Sequence, residues 1–356
     1  MNFYRKAIDS LDWGSARQVA PGAEPAIVIG HKTPDGDSVM SALAYARLMQ
    51  ELGYNVVARM AGKANNETAF AAKAFGFDLP EILLKVEPQS ASRNGEPTRL
   101  ILVDHSDYAQ AVDGARDARI LQVMDHHGIG DIAESKLLYA KYMPVGSTCS
   151  IVYTSFKELD VEITAEVAKI LLAGIMTDTL NLIKVTCTDM DRTIYQELIA
   201  ILSSAENVSY AEEFEKIQKI YQGMQEASKN FDGMTDEEIF NSDAKDYEIA
   251  GVRFRLGSLD WPHEDSIDSF NDRMLAVMKN LVEGPGGASL NSSYRMAFCR
   301  VGFRETSFIL YCGGSSAQAV AEAAFGKSVR PGVIFCERRL SRKLDVVPML
   351  TKALKE

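Results

Sequence analysis

The sequence lacks the patterns that mark several large classes of protein. None of its apolar runs approaches the length of about eighteen residues that a helix needs to cross a bilayer. Its five cysteines are scattered without a CxxC pair, which argues against a zinc knuckle or a disulfide framework and favours buried free thiols. It also contains no internal repeat and no low-complexity tract. We therefore expect a globular protein without a membrane segment.

Basic residues are fewer than acidic residues. The chain has 38 lysines and arginines against 49 aspartates and glutamates, a net charge of -11. A field of this sign repels the nucleic acid backbone, so no stable nucleic-acid partner is expected, although bound metal ions could still hold a phosphate group. The first twenty residues carry charges and Trp13 where a signal peptide would need an apolar stretch. A cytoplasmic location is the resulting expectation.

The length and the pattern of the first half predict an α/β domain. A chain of 356 residues exceeds what a single core usually supports, so two domains are expected. Short apolar runs alternate here with segments of helical spacing, which favours a doubly wound, mainly parallel sheet. The predicted strands are 26–31, 55–61, 99–106 and 120–128, and the predicted helices include 37–53 and 165–179.

The second half predicts a smaller α/β domain after a charged connection. The stretch 212–238 is highly charged, and we place a linker at 223–232, between a first domain at 1–222 and a second at 233–356. Residues 247–259 predict a pair of strands that turn near Gly251. A helix at 266–284 and strands in "MAFCRVGF" and "SFILYCGG" follow.

Acidic and imidazole side chains follow the predicted strands. The ligand crevice of an open α/β sheet lies beyond the carboxyl ends of its strands, so side chains at these ends should converge. A further aspartate, Asp178, lies among apolar residues of the helix predicted at 165–179. The strand-end residues are His31, Asp35 and Asp37 after the first strand, Asp104 after another, and Asp125, His126 and His127 after a third.

This set of residues predicts a centre with two metal ions. Two like charges about 4 Å apart cost about 4 kcal/mol at an effective dielectric constant near 20, so four converging carboxylates need cations between them. Imidazole mixed with carboxylate oxygen suits Mn²⁺, Co²⁺ or Fe²⁺, and paired ions activate water for attack on phosphorus. Hydrolysis of a phosphoester or phosphoanhydride is the function that follows. For each aspartate alone, a helix cap (Asp37 or Ser38 for the first loop) or a satisfied buried aspartate stays an alternative.

The adjacent histidines of "DHHG" call for separate roles. Neighbouring side chains on an extended segment point in opposite directions. His126 and His127 are therefore not expected to serve one purpose.

Taken together, these motifs resemble the DHH phosphoesterase superfamily, and within it the family II inorganic pyrophosphatases. The resemblance implies an N-terminal DHH domain, a smaller DHHA2-type domain and an active site in the cleft between them. It also implies hydrolysis of pyrophosphate with two Mn²⁺ or Co²⁺ ions, Mg²⁺ accompanying the substrate, and a homodimer. The matching stretches are "GHKTPDGDS", "LVDHSDYAQA", "VMDHHGIGD", "PVGSTCSIV", "LLAGIMTDTLNLIKVTCTDMD", "NSDAKDY" and "SRKLDVVPML".

The resemblance also assigns roles to individual residues. The ligands of one metal ion would be His31 and Asp35, those of the other Asp37, His126 and Asp178, with Asp104 as a bridge between them. Asp125 would orient an imidazole, and His127 would contact the phosphate and donate a proton to the leaving phosphate. Lys245, Arg342 and Lys343 of the second domain would bind pyrophosphate, as cationic groups do in phosphoryl transfer.

Four positions depart from the family pattern and leave the substrate open. Gly36 replaces a usual threonine, Ser106 an asparagine, Gly128 an arginine or lysine, and Leu344 a lysine. An exopolyphosphatase, or a phosphodiesterase acting on short oligonucleotides or cyclic dinucleotides, is therefore the alternative. Against the nuclease-like relatives, the chain has only "CGGSS" in place of their GGGH-type motif. A third hypothesis is a sensor that binds metal and phosphate with negligible turnover.

Overall fold

The computed structural model describes residues 3–19, 21–91, 95–134, 139–228, 230–231, 234–261, 267–284 and 294–355. The chain forms two compact units, residues 1–228 and 229–356. A helix at Tyr210–Ser228 continues through the first residues of the linker predicted at 223–232. The domain bounds inferred from the sequence stay a prediction.

Within the described residues, the first unit holds a five-stranded parallel sheet in the order β2-β1-β3-β4-β5, which confirms the predicted mainly parallel α/β architecture. Its strands are β1 (Ala26–Ile29), β2 (Val56–Arg59), β3 (Arg99–Val103), β4 (Arg119–Asp125) and β5 (Tyr139–Tyr142). Its helices are α1 (Phe3–Asp9), α2 (Gly36–Glu51), α3 (Asn66–Phe75), α4 (Thr148–Glu158), α5 (Ala165–Thr179), α6 (Asp189–Glu206) and α7 (Tyr210–Ser228).

Burial of the central strand explains the apolar run at residues 100–103 that follows Arg99. Every residue of β3 is buried, because apolar side chains cover both faces of the sheet there. On one face the core is formed with α2, α4, α5 and α6, and includes Met40, Leu171 and Leu198. On the other face Leu100 and Leu102 pack with Val112.

The second unit has a mixed sheet in the order β10-β9-β8-β7-β6 within its described residues. The predicted turn near Gly251 is confirmed: Ile249 pairs with Val252, and Ala250 and Gly251 both have positive φ, as a tight hairpin requires. The strands are β6 (Ala244–Ile249), β7 (Val252–Asp260), β8 (Met296–Phe303), β9 (Thr306–Cys312) and β10 (Val333–Cys336). The helices are α8 (Asp236–Asn241), α9 (Ile267–Glu283), α10 (Gly314–Phe325) and α11 (Val347–Lys355).

A helix that crosses a bilayer is about twenty residues long and mainly apolar. Among the described residues, no helix combines this length with this apolar character.

Candidate metal centre

The carboxyl edge of the parallel sheet brings the predicted ligands together. His31 Nε2 lies 3.4 Å from Asp35 Oδ2 and 3.3 Å from Asp104 Oδ2. The ligand atoms of these three residues all lie within 4.8 Å of one another. We call this set the His31 group.

A second set of donors adjoins the first, and we call Asp37, His126 and Asp178 the His126 group. His126 Nε2 lies 3.3 Å from Asp178 Oδ2 and 3.9 Å from Asp37 Oδ2. It also lies 3.2 Å from Oδ1 of Asp104, whose other oxygen faces His31. Asp104 thus occupies the position between the two groups that a bridging ligand requires.

Asp35 rather than Asp37 or Ser38 caps helix α2. Its Oδ1 accepts a hydrogen bond of 3.0 Å from the backbone N–H of Ser38, while Oδ2 faces His31. One carboxylate therefore serves both as helix cap and as donor atom of the His31 group.

Asp37 is held by the first turn of helix α4. Its Oδ1 accepts hydrogen bonds from Ser147 Oγ at 2.6 Å and from the Cys149 N–H at 3.1 Å, and its Oδ2 accepts from the Thr148 N–H at 2.6 Å. The first N–H groups of a helix have no partner within the helix, and they favour an anion. The buried carboxylate is therefore fixed by the Ser147 hydroxyl and by two N–H groups that have no hydrogen-bond partner within α4.

The same segment orients two other donors. Thr148 Oγ1 donates to Asp104 Oδ1 at 3.1 Å, and the carbonyl of Val145 lies 3.0 Å from His126 Nδ1. Because a carbonyl only accepts, the hydrogen of His126 is on Nδ1, and Nε2 faces the carboxylates. Asp104 has a φ of 61°, a left-handed conformation that is uncommon outside glycine and is typical of functional sites.

The two adjacent histidines are held in different ways. Asp125 Oδ1 accepts hydrogen bonds from the backbone N–H of His127 at 3.0 Å and from its Nδ1 at 2.8 Å. The imidazole that Asp125 orients is therefore that of His127. The planes of the two rings lie at 84° to each other. The expected division of roles has a geometric basis, since His126 faces the carboxylates and His127 is partly exposed.

Electrostatics at the centre agree with a site for cations. Burial, together with the charge of Asp104, raises the pKa of Asp37 to about 8. Burial alone would lower the pKa of His126, but the carboxylates of Asp104 and Asp178 raise it to about 9. Burial and the charge of His126 lower the pKa of His127 to about 4. Protons thus supply part of the positive charge in the protein alone, and divalent cations fit a donor set of imidazole nitrogen and carboxylate oxygen.

Sequence reasoning missed Lys184, which donates a hydrogen bond of 2.7 Å from Nζ to Asp178 Oδ1. The lysine follows a turn in which Leu180, Asn181 and Leu182 all have positive φ, between 50° and 71°. No periodic pattern places a side chain after such a turn. Its presence in the same matched motif as Asp178 was the one available signal.

The four departures from the family pattern differ in their surroundings. A Cβ at Gly36 would lie 2.4 Å from Thr177 Oγ1, so a larger residue there conflicts with Thr177. A Cβ at Gly128 would meet nothing within 4 Å. Ser106 Oγ donates to the Gly128 carbonyl at 3.1 Å and accepts from the Gly130 N–H at 3.0 Å, which joins two loops of the sheet edge. Leu344 is exposed.

The predicted substrate-binding residues lie in the second unit. Lys245 is buried on β6, and Lys343 is half-buried in the turn Arg342–Val346. Arg342 Nη1 donates to Asp243 Oδ1 at 2.6 Å and to the Asp243 carbonyl at 3.0 Å. Asp243 lies two residues before Lys245, so the structure brings Arg342 to the start of the strand that carries Lys245. Their roles stay a prediction.

Comparisons with known proteins cover almost the whole chain. Residues 25–175 match the DHH family, N-terminal domain, and residues 222–353 match the DHHA2 domain. The chain is 32% identical over 94% of its length to the manganese-dependent inorganic pyrophosphatase of Methanothrix thermoacetophila, and covers 100% of that protein. It is 30% identical over 93% of its length to a probable manganese-dependent inorganic pyrophosphatase of Lactobacillus delbrueckii subsp. bulgaricus, and covers 99% of it.

A solved structure gives the same result. The crystal structure of a Methanococcus jannaschii protein, described as a candidate family II inorganic pyrophosphatase, is 25% identical with a TM-score of 0.75. The match covers 92% of this chain and 99% of that one. The chain therefore belongs to the DHH family, in the branch whose second domain is a DHHA2 domain and whose members include the manganese-dependent inorganic pyrophosphatases.

Proposed function

We propose that this protein hydrolyses inorganic pyrophosphate to two phosphates in a reaction that depends on two divalent metal ions. The observation that carries the proposal is the pair of donor groups that share Asp104, one oxygen facing each group. The names of the relatives at about 30% identity over nearly the whole chain support the choice of substrate.

The donor set indicates which ions fit and where. His31, Asp35 and Asp104 would hold one ion, and Asp37, His126 and Asp178 the other, with Asp104 common to both. Mn²⁺ or Co²⁺ suits this mixture of imidazole and carboxylate, and Mg²⁺ would accompany the substrate. When bound, the ions supply positive charge and a water molecule of lowered pKa as the nucleophile.

His127 is proposed to contact the substrate. Asp125 holds its Nδ1, which fixes the ring and makes Nδ1 the protonated nitrogen. With its pKa lowered to about 4, the ring is neutral at pH 7 in the protein alone, so Nε2 is an acceptor. A role as proton donor therefore requires a polyanionic substrate to raise this pKa, and it stays a prediction.

The second unit is proposed to bind the phosphate groups. Arg342 offers a planar fork for phosphate oxygens, while Lys245 and Lys343 act as compact charges. The hydrogen bonds from Arg342 to Asp243 preset the side chain near β6.

The contact of position 36 with Thr177 supplies a packing reason for glycine that does not involve the substrate. The thinner basic cluster, with Leu344 in place of a lysine, still motivates the polyphosphate or oligonucleotide alternative.

The proposal is tested with a substrate panel. Phosphate release from pyrophosphate, a short-chain polyphosphate and a dinucleotide is measured with Mn²⁺, Co²⁺ or Mg²⁺, with His126→Ala as control. We expect rapid release from pyrophosphate with Mn²⁺ or Co²⁺ in the presence of Mg²⁺. Preferred cleavage of another substrate, or release from pyrophosphate no faster than in the control, contradicts the proposal. Metal binding without turnover of any substrate would instead favour the sensor hypothesis.

The remaining expectations are proposals as well. We propose a cytoplasmic homodimer without a stable nucleic-acid partner. Light scattering of the purified protein, and a DNA or RNA binding assay at low salt, test the last two points.

A further inference from the structure

One short segment holds three of the proposed metal ligands. Residues 145–149 contribute five hydrogen bonds to Asp37, Asp104 and His126, at distances between 2.6 and 3.1 Å. Three of the bonds go to Asp37 and one to each of the other ligands. The position of this segment therefore sets the positions of donors in both groups.

Asp191 accepts a hydrogen bond from each side of residues 147–149, the three residues that contact Asp37. Its Oδ2 accepts a hydrogen bond of 2.8 Å from the Gly146 N–H, and its Oδ1 accepts one of 2.6 Å from Ser150 Oγ. Asp191 is fully buried, so water does not compete for these bonds. It touches none of the proposed ligands in the contacts that the structure describes.

The same carboxylate also caps helix α6. Oδ2 accepts from the Thr188 N–H at 2.7 Å and from Thr188 Oγ1 at 2.6 Å, and Thr188 Oγ1 accepts in turn from the Asp191 N–H. A capping box needs a side chain at this place, but it needs no contact with another helix. The two bonds to Gly146 and Ser150 exceed what capping requires.

Close packing at Gly146 shows how tightly the segment is seated. A Cβ at this position would lie 2.8 Å from Asp191 Oδ2 and 3.1 Å from the Cα of Cys187. A residue with a side chain would therefore push the segment away from Asp191. Glycine permits the short backbone bond.

We infer that Asp191 is a positioning residue for the metal centre, which it arranges through residues 145–150 before any ion binds. The inference rests on the metal-binding part of the proposed function. It assigns to the start of α6 a role in metal affinity, because outer partners of metal ligands hold them in the binding geometry. Asp191 takes no part in the reaction itself.

The test measures Mn²⁺ binding to metal-free protein by calorimetry, together with the electron paramagnetic resonance spectrum of the bound ions. Asp191→Ala removes the cap and both anchors, and we expect its Kd to rise by about 10- to 100-fold. Thr188→Ala is the matched control, because it breaks the same capping box and leaves Gly146 and Ser150 bonded to Asp191; its Kd should stay within about threefold of wild type.

Two further variants should give Kd values between those of wild type and Asp191→Ala, or equal to wild type. Asp191→Asn can keep an oxygen toward Gly146 and donate its amide hydrogen to Ser150 Oγ, so we expect it to retain wild-type affinity. Ser150→Ala removes one of the two anchors and should raise Kd by about 3- to 10-fold. This variant also serves if Asp191→Ala does not fold, which its thermal melting curve would reveal.

The outcomes separate the two hypotheses. Wild-type affinity and spectrum in Ser150→Ala, or equal affinities in Asp191→Ala and Thr188→Ala, would overturn the inference and leave the proposed function intact. A wild-type protein that binds no Mn²⁺ would overturn the proposed function and the inference with it.

Discussion

The two donor groups differ in where their support comes from in the sequence. Asp35 of the His31 group is held by the backbone of Ser38, three residues away. Asp37 of the His126 group is held by groups 110 to 112 residues away. The His31 group is thus formed largely by one loop, whereas the His126 group depends on the assembly of several elements. Changes far from the centre should therefore affect the His126 group first.

Replacing the residue that the groups share should have the largest effect. Asp104→Asn removes an anionic oxygen, and we expect Mn²⁺ affinity to fall at both groups by more than the about 10- to 100-fold typical of an outer partner. Asp35→Asn, the control, should weaken only the His31 group. Counting bound Mn²⁺ per chain distinguishes them. Retention of two tightly bound ions by Asp104→Asn would show that the groups do not share a ligand.

The affinity of the His126 group for a metal ion should depend strongly on pH. The pKa values of His126 and Asp37 are raised to about 9 and about 8, so both groups are largely protonated at pH 6 to 7, and a bound ion must displace both protons. Each displaced proton strengthens binding about tenfold per pH unit, so affinity should rise by more than about 100-fold between pH 6 and 8 and level off above about pH 9. Calorimetry in buffers of different ionisation enthalpy measures the released protons. Affinity that does not change with pH would contradict the expectation.

Replacing Asp125 should slow turnover without changing the Mn²⁺ affinity of the His31 group or the His126 group. Asp125→Asn weakens the bond that holds His127 Nδ1, so we expect phosphate release to fall by about 10- to 100-fold. Mn²⁺ affinity should remain as in wild type, because the ring of His126 is held by Val145 instead. A loss of Mn²⁺ affinity equal to the loss of turnover would place Asp125 in the support of the His126 group.

The smallest effect is expected from a larger residue at position 36, next to Asp37, and it should appear in the free energy of unfolding. Gly36→Thr conflicts with Thr177, and overpacking of this kind lowers the free energy of unfolding by about 1–3 kcal/mol. Thr177→Ala removes the two nearest atoms and should restore part of that loss, which a double-mutant cycle from urea denaturation measures. Gly128→Ala, where a Cβ has open space, is the control. Additive effects of the two substitutions would show that the residues do not interact.

Local sequence patterns were sufficient to predict an element whose structure depends mainly on its own residues. The helix predicted at 165–179 is α5, Ala165–Thr179, because its apolar spacing and the capping Thr164 act within the segment. The strand β5 was not predicted, since it has four residues and none of them is fully buried. The parallel strands also bring the predicted ligands together at one edge of the sheet, while their role in metal binding stays a prediction.

Contacts between distant segments were beyond the reach of such patterns. The bonds from residues 145–149 to Asp37 depend on the packing of α4 against α2, and no spacing in the sequence encodes that packing. Lys184 was missed for a related reason, because three successive left-handed residues direct it back to Asp178. The residue types of the centre could be predicted, whereas their supports could not.

The left-handed turn also has a consequence for the order of folding. Tyr195 OH on α6 donates to the side chain of Asn181 at 2.9 Å, and that side chain donates to Gln218 on α7 at 2.7 Å. Three left-handed residues in a row are unfavourable without such support. All the proposed metal ligands precede residue 179, yet the hydrogen bonds that support this turn form only as α6 and then α7 are synthesised. During translation, the donors of the His126 group should therefore mature later than their places in the chain would suggest.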